Sequence, residues 1–209
     1  GDKNITLEPG NQIELSGEKL NNIHEACAES QDYLFELRQV TKKLGISIVS
    51  SGFDPISKLN EIPNNPKQRY KLMTKDMPSG GKLSLDMMYR TCGTQLNVDY
   101  SSEEDFVKKF KIVNSIVPIS IALFANSSIV EKKNSGFLSY RSKVWQSTSR
   151  GGLPKLFFEE LNFEKYAEFI INFPILFIQN QEKYISGKKY IFKNFMDGKI
   201  NEIGNRYPS

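Results

Sequence analysis

The stretch Thr6-Leu-Glu-Pro-Gly-Asn-Gln-Ile-Glu-Leu-Ser16 decides the fold, because it sets two short extended runs on either side of a turn. Proline fixes φ, and glycine or asparagine tolerates a positive φ, so Pro9-Gly10-Asn11 predicts the turn. Gln12 and Glu14 alternate with apolar residues and therefore share one face of a strand. Such a face suits a metal-bound nucleotide, since Mg²⁺ takes oxygen ligands; a solvated hairpin face is the ordinary alternative.

The composition is that of an ordinary soluble globular protein, with 39% hydrophobic and 25% charged residues among 209 positions. A net charge of +4, with dispersed lysines, argues against nucleic-acid binding. The longest apolar stretch, residues 112–125, is interrupted by polar residues and proline, so no membrane span is expected. Cys27 and Cys92 are too far apart for a C-x-x-C pair, which favours a reducing compartment, and we expect a cytoplasmic location.

Hydrophobic periodicity and capping residues predict the secondary structure. The predicted helices cover residues 18–44 with Ser16 as N-cap and Gly45 as stop, 67–75, 101–114 with a kink or restart at Pro118, 163–171 and 192–199. The predicted strands are a buried one at 46–53, a half-buried one at 95–100 and a hairpin at 175–178 and 183–186.

Six runs of the sequence together resemble one known family. They are Thr6-Leu-Glu-Pro-Gly-Asn-Gln-Ile-Glu-Leu-Ser-Gly17, Pro66-Lys-Gln-Arg-Tyr-Lys71, Leu85-Asp-Met-Met-Tyr-Arg-Thr-Cys92, Gln95-Leu-Asn-Val-Asp99, Leu123-Phe-Ala-Asn-Ser127 and Gly136-Phe-Leu-Ser-Tyr-Arg-Ser-Lys-Val-Trp145. In this order they resemble the glutamate-cysteine ligases (gamma-glutamylcysteine synthetases) of the plant and proteobacterial type.

The resemblance implies an α+β fold related to glutamine synthetase, in which flanking helices support an antiparallel sheet platform. It also implies a reaction, the first step of glutathione biosynthesis. ATP would phosphorylate the γ-carboxylate of glutamate, and the amino group of cysteine would attack the acyl phosphate. The implied ligands are therefore ATP, Mg²⁺, glutamate and cysteine, and the expected assembly is a monomer or a homodimer.

The resemblance also implies metal and nucleotide ligands. Glu8 and Glu14 match acidic strand positions that hold Mg²⁺ with ATP, and Gln95 and Asn97 match a neighbouring polar strand. Arg150 lies in a glycine-containing loop and is a further nucleotide candidate, with a solvent-exposed role as the alternative.

Arg69 and Arg141 match the two arginines that would recognise the carboxylates of glutamate, and we take both as catalytic and substrate-binding candidates. A planar guanidinium can bind a carboxylate through two parallel hydrogen bonds, which lysine cannot do. Without the motif, a surface ion pair would be the ordinary role of a lone arginine. Trp145 is expected in the same pocket, although a core tryptophan fits its sequence equally well.

The chain is expected to be one incomplete catalytic domain, residues 1–209, excerpted from a longer ligase domain. The family has an upstream strand with further glutamates for metal and downstream segments that complete the sheet, and this chain contains neither. We therefore expect these residues to be inactive alone. Two other functions stay open: a non-catalytic domain that binds glutamate or nucleotide, and a related carboxylate-amine ligase with another acceptor.

Overall fold

The computed structural model describes residues 3–148, 151, 154–180, 183–187 and 190–200. In this part of the chain, helices and short antiparallel strands are mixed, which confirms the α+β class. The described strands form three separate two-stranded sheets. The continuous platform implied by the resemblance is therefore not assembled by these residues.

The elements follow one another as short hairpins separated by helices. The strands are β1 (Asn4–Leu7), β2 (Ile13–Ser16), β3 (Ile129–Val130), β4 (Lys133–Asn134), β5 (Phe177–Asn180) and β6 (Lys183–Ser186). The α-helices are α1 (Ile23–Leu44), α2 (Gln68–Asp76), α3 (Ser84–Arg90), α4 (Glu103–Leu123), α5 (Tyr140–Gln146), α6 (Phe163–Ile171) and α7 (Phe192–Met196). Short 3₁₀ helices cover Leu59–Glu61, Met77–Gly80 and Lys155–Phe158.

The β1–β2 hairpin forms as the turn residues predict, and it lies on the segment that leads into α2. The backbone N–H of Asn65 donates to the Pro9 carbonyl at 2.9 Å, and the Tyr70 hydroxyl lies 3.5 Å from the Leu7 carbonyl. Next to this contact, α2 and α3 contribute to a small apolar core. Its members are Tyr70, Met88 and Tyr89, with Leu59, Ile62, Met73, Met77 and Leu85 packed around them.

Helix α1 begins later than the sequence predicted. The Asn22 side chain accepts hydrogen bonds from the N–H groups of His24 and Glu25 and so caps the helix. Ser16, the expected cap, still lies in β2 and is paired with β1. The predicted end is confirmed, because Gly45 adopts a left-handed φ of 66° at the C-cap.

Helix α4 begins at Glu103, two residues after the predicted start at residue 101, with Ser102 as its N-cap. The Ser102 hydroxyl accepts from the N–H of Asp105 at 3.1 Å, and the Asp105 carboxylate accepts from the N–H of Ser101 at 2.9 Å. The helix then continues through Pro118 to Leu123, so the predicted interruption was wrong. A proline lacks only its own N–H donor, and the hydrogen bonds on either side keep the helix continuous.

Two predicted strands are not formed by the described residues. Residues 46–50 are exposed and form no strand. In the predicted strand 46–53, only Phe53 pairs, through an isolated antiparallel bridge to Thr91. In the predicted strand 95–100, Leu96 is 76% exposed. Alternation shows which face of a strand would be buried, but a strand also needs a neighbour for its backbone groups.

The C-terminal elements agree with the sequence prediction. Asn162 caps α6 by accepting from the N–H of Lys165 at 2.8 Å, and the helix covers the predicted residues. The β5–β6 hairpin forms, and α7 is shorter than the predicted helix 192–199. The Ser186 hydroxyl donates to the Asp76 carboxylate at 2.6 Å, which fastens the hairpin to the end of α2.

Helix α4 exposes an apolar face. The exposed residues are Ile112, Val113, Ile116, Val117, Ile119, Leu123 and, directly after the helix, Phe124. A contiguous apolar surface of this kind is unusual on a monomeric soluble domain. None of the described helices has the length and apolar character that a membrane crossing requires.

Gly10 is predicted to be essential for the packing of the hairpin. A Cβ at this position would overlap the Tyr89 carbonyl, which is backbone and cannot move independently. We expect Gly10→Ala to lower the free energy of unfolding by about 1–3 kcal/mol, as overpacking does, in chemical denaturation. Gly17→Ala is the matched control, because its Cβ would meet only the flexible Glu29 carboxylate. Equal destabilisation by both variants would contradict this assignment.

Candidate active site

The site is built around the backbone that leaves α3, which we call the exit segment (residues 88–92). The Gln12 amide donates to the Met88 carbonyl at 3.4 Å and to the Thr91 carbonyl at 3.2 Å. The Arg141 Nε donates to the Cys92 carbonyl at 2.8 Å. The exit segment therefore joins the β1–β2 hairpin to the first turn of α5.

Arg141 is the candidate whose surroundings point most directly to a ligand. Its backbone N–H donates to the Ser127 hydroxyl at 3.1 Å, and its guanidinium lies 5.5 Å from the ring centroid of Trp145. The side chain is half-buried, and desolvation lowers the pKa of its guanidinium, an effect that the nearby Cys92 opposes. No carboxylate of the described residues forms an ion pair with it. A partly desolvated cation of this kind favours an anionic ligand.

Arg69 has a different environment near the start of α2. Its Nη2 donates to the Tyr70 hydroxyl at 2.9 Å, and its guanidinium lies 4.8 Å from the same ring centroid. The hydrogen bond to Tyr70 raises the pKa of Arg69, burial acts against the rise, and the charges of Tyr70, Glu8 and Tyr184 add to it. The fold thus brings Arg69 close to Glu8, although Arg69 itself remains exposed.

Glu8 and Glu14 lie on the same face of the hairpin. The register pairs Thr6 with Glu14. The N–H of Glu8 donates to the Gln12 carbonyl at 2.9 Å, so Glu8 and Gln12 add one further pair beyond Leu7 and Ile13. Burial raises the pKa of Tyr33, and the charge of Glu14 adds to the rise, so this carboxylate also faces α1. The described residues contain no cluster of three or more His, Cys, Asp or Glu arranged for a metal. Two carboxylates nevertheless fit Mg²⁺, which usually takes one or two from the protein together with substrate phosphates.

The other nucleotide candidates are not joined to this centre. The Gln95 amide donates to the Asn97 side chain at 3.0 Å, and both residues are exposed. None of the hydrogen bonds or ion pairs found in the described part of the chain links them to the carboxylates or arginines. Arg150 lies outside the described residues.

Sequence reasoning did not identify the groups that hold Arg141 in place. The Cys92 carbonyl and the Ser127 hydroxyl both hold Arg141, yet a carbonyl carries no sequence signal and a serine is too common to stand out. Arg90 was matched to the family without a role. Its spacing of four residues from Asp86 was a usable signal for an ion pair on a helix.

The described residues define an α+β protein with two arginines, Arg69 and Arg141, as candidate anion-binding groups. The chain belongs to the glutamate-cysteine ligase family, because the family model described as Glutamate-cysteine ligase family 2 (GCS2) matches residues 1–199. It is similar to the chloroplastic glutamate–cysteine ligase of Nicotiana tabacum, with 42% identity over all of this chain and 41% of that protein. The chloroplastic enzymes of Solanum lycopersicum and Arabidopsis thaliana are each 41% identical, and the chain covers 40% and 41% of their lengths.

These comparisons correct the expected location and show how much of its relatives the chain covers. The similar proteins are named as chloroplastic, so the cytoplasmic location expected from cysteine usage was wrong. Two cysteines indicate a reducing environment, but they do not distinguish one reducing compartment from another. The chain spans about two fifths of the length of the relatives that it matches.

The thiol of Cys92 reports on the neighbourhood of Arg141. Desolvation raises the pKa of this thiol, Asp54 adds to the rise, and Arg141 opposes it. At pH 8 we therefore expect less thiolate than for an ordinary cysteine, whose pKa is about 8.5. The midpoint of alkylation should accordingly lie above about 8.5. Peptide mass spectrometry after timed alkylation at several pH values would measure the midpoint.

Arg141→Gln should move the Cys92 midpoint further upward, because it removes the charge that favours the thiolate. Arg38→Gln is the matched control, since Arg38 is exposed on α1. A midpoint below the ordinary value, or one that Arg141→Gln leaves in place, would contradict this geometry.

Proposed function

We propose that the protein joins the γ-carboxylate of glutamate to the amino group of cysteine, with ATP as the phosphoryl donor, as the first step of glutathione biosynthesis. The observation that carries the proposal is Arg141, a half-buried guanidinium that no described carboxylate neutralises. The names of the relatives support glutamate and cysteine as the substrates and a plastid as the compartment.

In this proposal the two arginines recognise the carboxylates of glutamate. Arg141 binds one carboxylate through its planar fork, and its partial desolvation strengthens the attraction. Arg69, which lies near Glu8, binds the other. Trp145 forms a wall of the same pocket, which its position beside the Arg141 guanidinium supports.

The hairpin carboxylates are the proposed metal ligands. Glu8 and Glu14 would hold Mg²⁺, and the metal would neutralise charge on the phosphates of ATP. Gln95, Asn97 and Arg150 would contact the nucleotide, as the family resemblance implies. For Gln95 and Asn97 this requires a change in position or further polypeptide, because no described contact joins them to the hairpin.

The proposed reaction has two displacements. A γ-carboxylate oxygen of glutamate attacks the terminal phosphorus of ATP, and ADP leaves with the electron pair of the broken P–O bond. The neutral amine of cysteine then attacks the acyl carbon, phosphate leaves, and the amine loses a proton. Phosphoryl transfer asks the protein mainly for positioning and charge neutralisation, which arginines and carboxylates supply without a covalent nucleophile.

We further propose that residues 1–209 are one incomplete catalytic domain of a longer ligase. The coverage of the relatives supports this, and so does the exposed apolar face of α4. The unpaired segments at 46–50 and 95–100 would gain strand neighbours from further polypeptide. The antiparallel platform of the glutamine synthetase type would then be complete.

ADP release by the full-length protein tests the proposed reaction. With Mg²⁺, ATP and glutamate, we expect ADP release that depends on cysteine and equals the dipeptide formed. Bound ATP or glutamate without ADP release would identify a non-catalytic binding domain instead. Release with a different amine would identify a related ligase. The 209-residue chain alone is expected to show no turnover, and measurable turnover would overturn the incomplete-domain proposal.

Arg141→Ala is expected to lower kcat/KM for glutamate by about 100-fold, as the loss of a charged hydrogen-bonded pair would. The kcat/KM of Arg141→Lys should lie between those of Arg141→Ala and the unmodified protein, because lysine keeps the charge but cannot form two parallel hydrogen bonds. Arg38→Ala, on the exposed side of α1, is the control and should match the unmodified protein in steady-state assays. Unchanged kinetics for Arg141→Ala would remove this residue from the site.

A further inference from the structure

Arg90 is a buried cation at the end of α3. Its side chain is only 3% exposed, and its Nη1 lies 2.8 Å from Asp86 Oδ1 and 3.5 Å from Glu131 Oε1. Within the described part of the chain, its Nε and Nη2 find no hydrogen-bond acceptor. Burying a guanidinium with two unsatisfied donors is costly, and an apolar side chain of similar volume would often serve stability as well or better. Stability alone therefore explains this residue poorly.

The Arg90 guanidinium lies at one end of a stack that leads to Arg141. It sits 4.5 Å from the ring centroid of Phe53, which is fully buried. Phe53 meets Tyr140 edge-on with ring centroids 5.0 Å apart, and Tyr140 directly precedes Arg141 in α5. Arg90 is thus in contact, through two rings, with the first turn of α5.

A second connection runs through the β3–β4 turn. Glu131 and Lys132 adopt left-handed φ values of 49° and 66°, and the N–H of Lys132 donates to the Pro55 carbonyl at 2.8 Å. The ion pair with Arg90 holds Glu131, and hence this turn, against α3. Burial raises the pKa of Tyr140, Asp86 and Glu131 add to the rise, and Arg90 opposes it, so all three charges surround this phenol.

The backbone of Arg90 supports the same region. Its carbonyl accepts from the N–H of Asp54 at 2.8 Å, and the N–H of Cys92 donates to the Gly52 carbonyl at 3.1 Å. Between them lies the Phe53–Thr91 bridge. The Cys92 carbonyl then accepts from Arg141 Nε. The side chain of Arg90 therefore contacts the start of α5 through the two rings, and its backbone is part of the exit segment that binds the Arg141 guanidinium.

We infer that Arg90 is a positioning residue for Arg141 and sets the affinity for glutamate without touching the substrate. The inference rests on the proposed role of Arg141. It requires the planar, charged guanidinium of Arg90, because a flat cation can stack on Phe53 and bind Glu131 at the same time. Lysine at this position keeps the charge but offers no flat surface for the stack.

The test is steady-state kinetics of the full-length protein carrying Arg90→Lys, with KM measured separately for glutamate and for ATP. We expect the glutamate KM to rise by about tenfold, within the range for coupled residues in one network, and the ATP KM to stay unchanged. A purely structural role would reduce the active fraction and leave both KM values in place, and that result would overturn the inference.

Glu131→Gln is the second variant, for the case that Arg90→Lys does not fold. Glu131 is 42% exposed, and Arg90 keeps its ion pair with Asp86 at 2.8 Å, so the change does not leave the buried guanidinium without a carboxylate. It should raise the glutamate KM by about two- to threefold, as the loss of a partly exposed ion pair would. If Arg90→Lys is insoluble and Glu131→Gln has unchanged KM values, the inference fails.

Lys109→Met provides the matched control. It breaks another helical ion pair of the same spacing, Asp105–Lys109 at 2.8 Å on α4, away from the stack. Both KM values should stay unchanged. If Lys109→Met raises the glutamate KM as Arg90→Lys does, the effect is not specific to the stack and the inference is overturned.

A double-mutant comparison separates this inference from the proposed function. In an Arg141→Lys background, the further change Arg90→Lys should have little effect on the glutamate KM, because the group that it positions is already altered. Fully additive effects would overturn the inference while leaving the role of Arg141 intact. If Arg141→Ala by itself leaves glutamate kinetics unchanged, the proposed role of Arg141 fails, and this inference fails with it.

Discussion

Hydrogen bonds to the carbonyl groups at the end of α3 hold the candidate site together. A helix leaves its last carbonyls without partners inside the helix, and burying them unpaired would cost about 1–3 kcal/mol each. Here the Gln12 amide, the backbone of Asp54 and the Arg141 guanidinium supply the donors. These donors come from three distant parts of the sequence. The need to satisfy one helix end therefore fixes the relative positions of the hairpin, the Phe53 bridge and α5.

Three arginines near this helix end differ in how their charge is balanced. Arg90 is buried and its charge is balanced by carboxylates of the protein, while its Nε and Nη2 find no acceptor among the described residues. Arg69 is exposed and rests on Tyr70. Arg141 is half-buried and has lost part of its hydration without gaining an anion from the described residues. Coulomb attraction grows as the effective dielectric falls, so Arg141 offers the strongest attraction to an incoming carboxylate.

The sequence predicted α1, α2, α4, α6 and α7 because their signals are local, but it did not predict α3 or α5, the helices of Arg90 and Arg141. Gly45 ends α1 and Asn162 begins α6 through hydrogen bonds and backbone angles that involve only a few neighbouring residues. The error at the start of α4 is small, because neighbouring polar residues such as Ser101 and Ser102 compete for the cap position. The error at the start of α1 is larger, because Ser16 is held in β2 and the helix begins only at Ile23. The predicted strands at 46–53 and 95–100 failed for a different reason. A strand is defined by its partner, and no run of alternating residues shows that a partner is present.

The sequence by itself determined the hairpin, five of the helices and the motif residues of the glutamate-cysteine ligase family, because turns, caps and motif residues act over short distances along the chain. Only the tertiary structure decided which arginine is buried beside acids, which is exposed and which is left half-buried without a carboxylate partner. It also decided that Arg141 Nε donates to the Cys92 carbonyl and that Phe53 packs edge-on against Tyr140. Burial and dielectric depend on contacts between segments far apart in the sequence, and no local pattern encodes them.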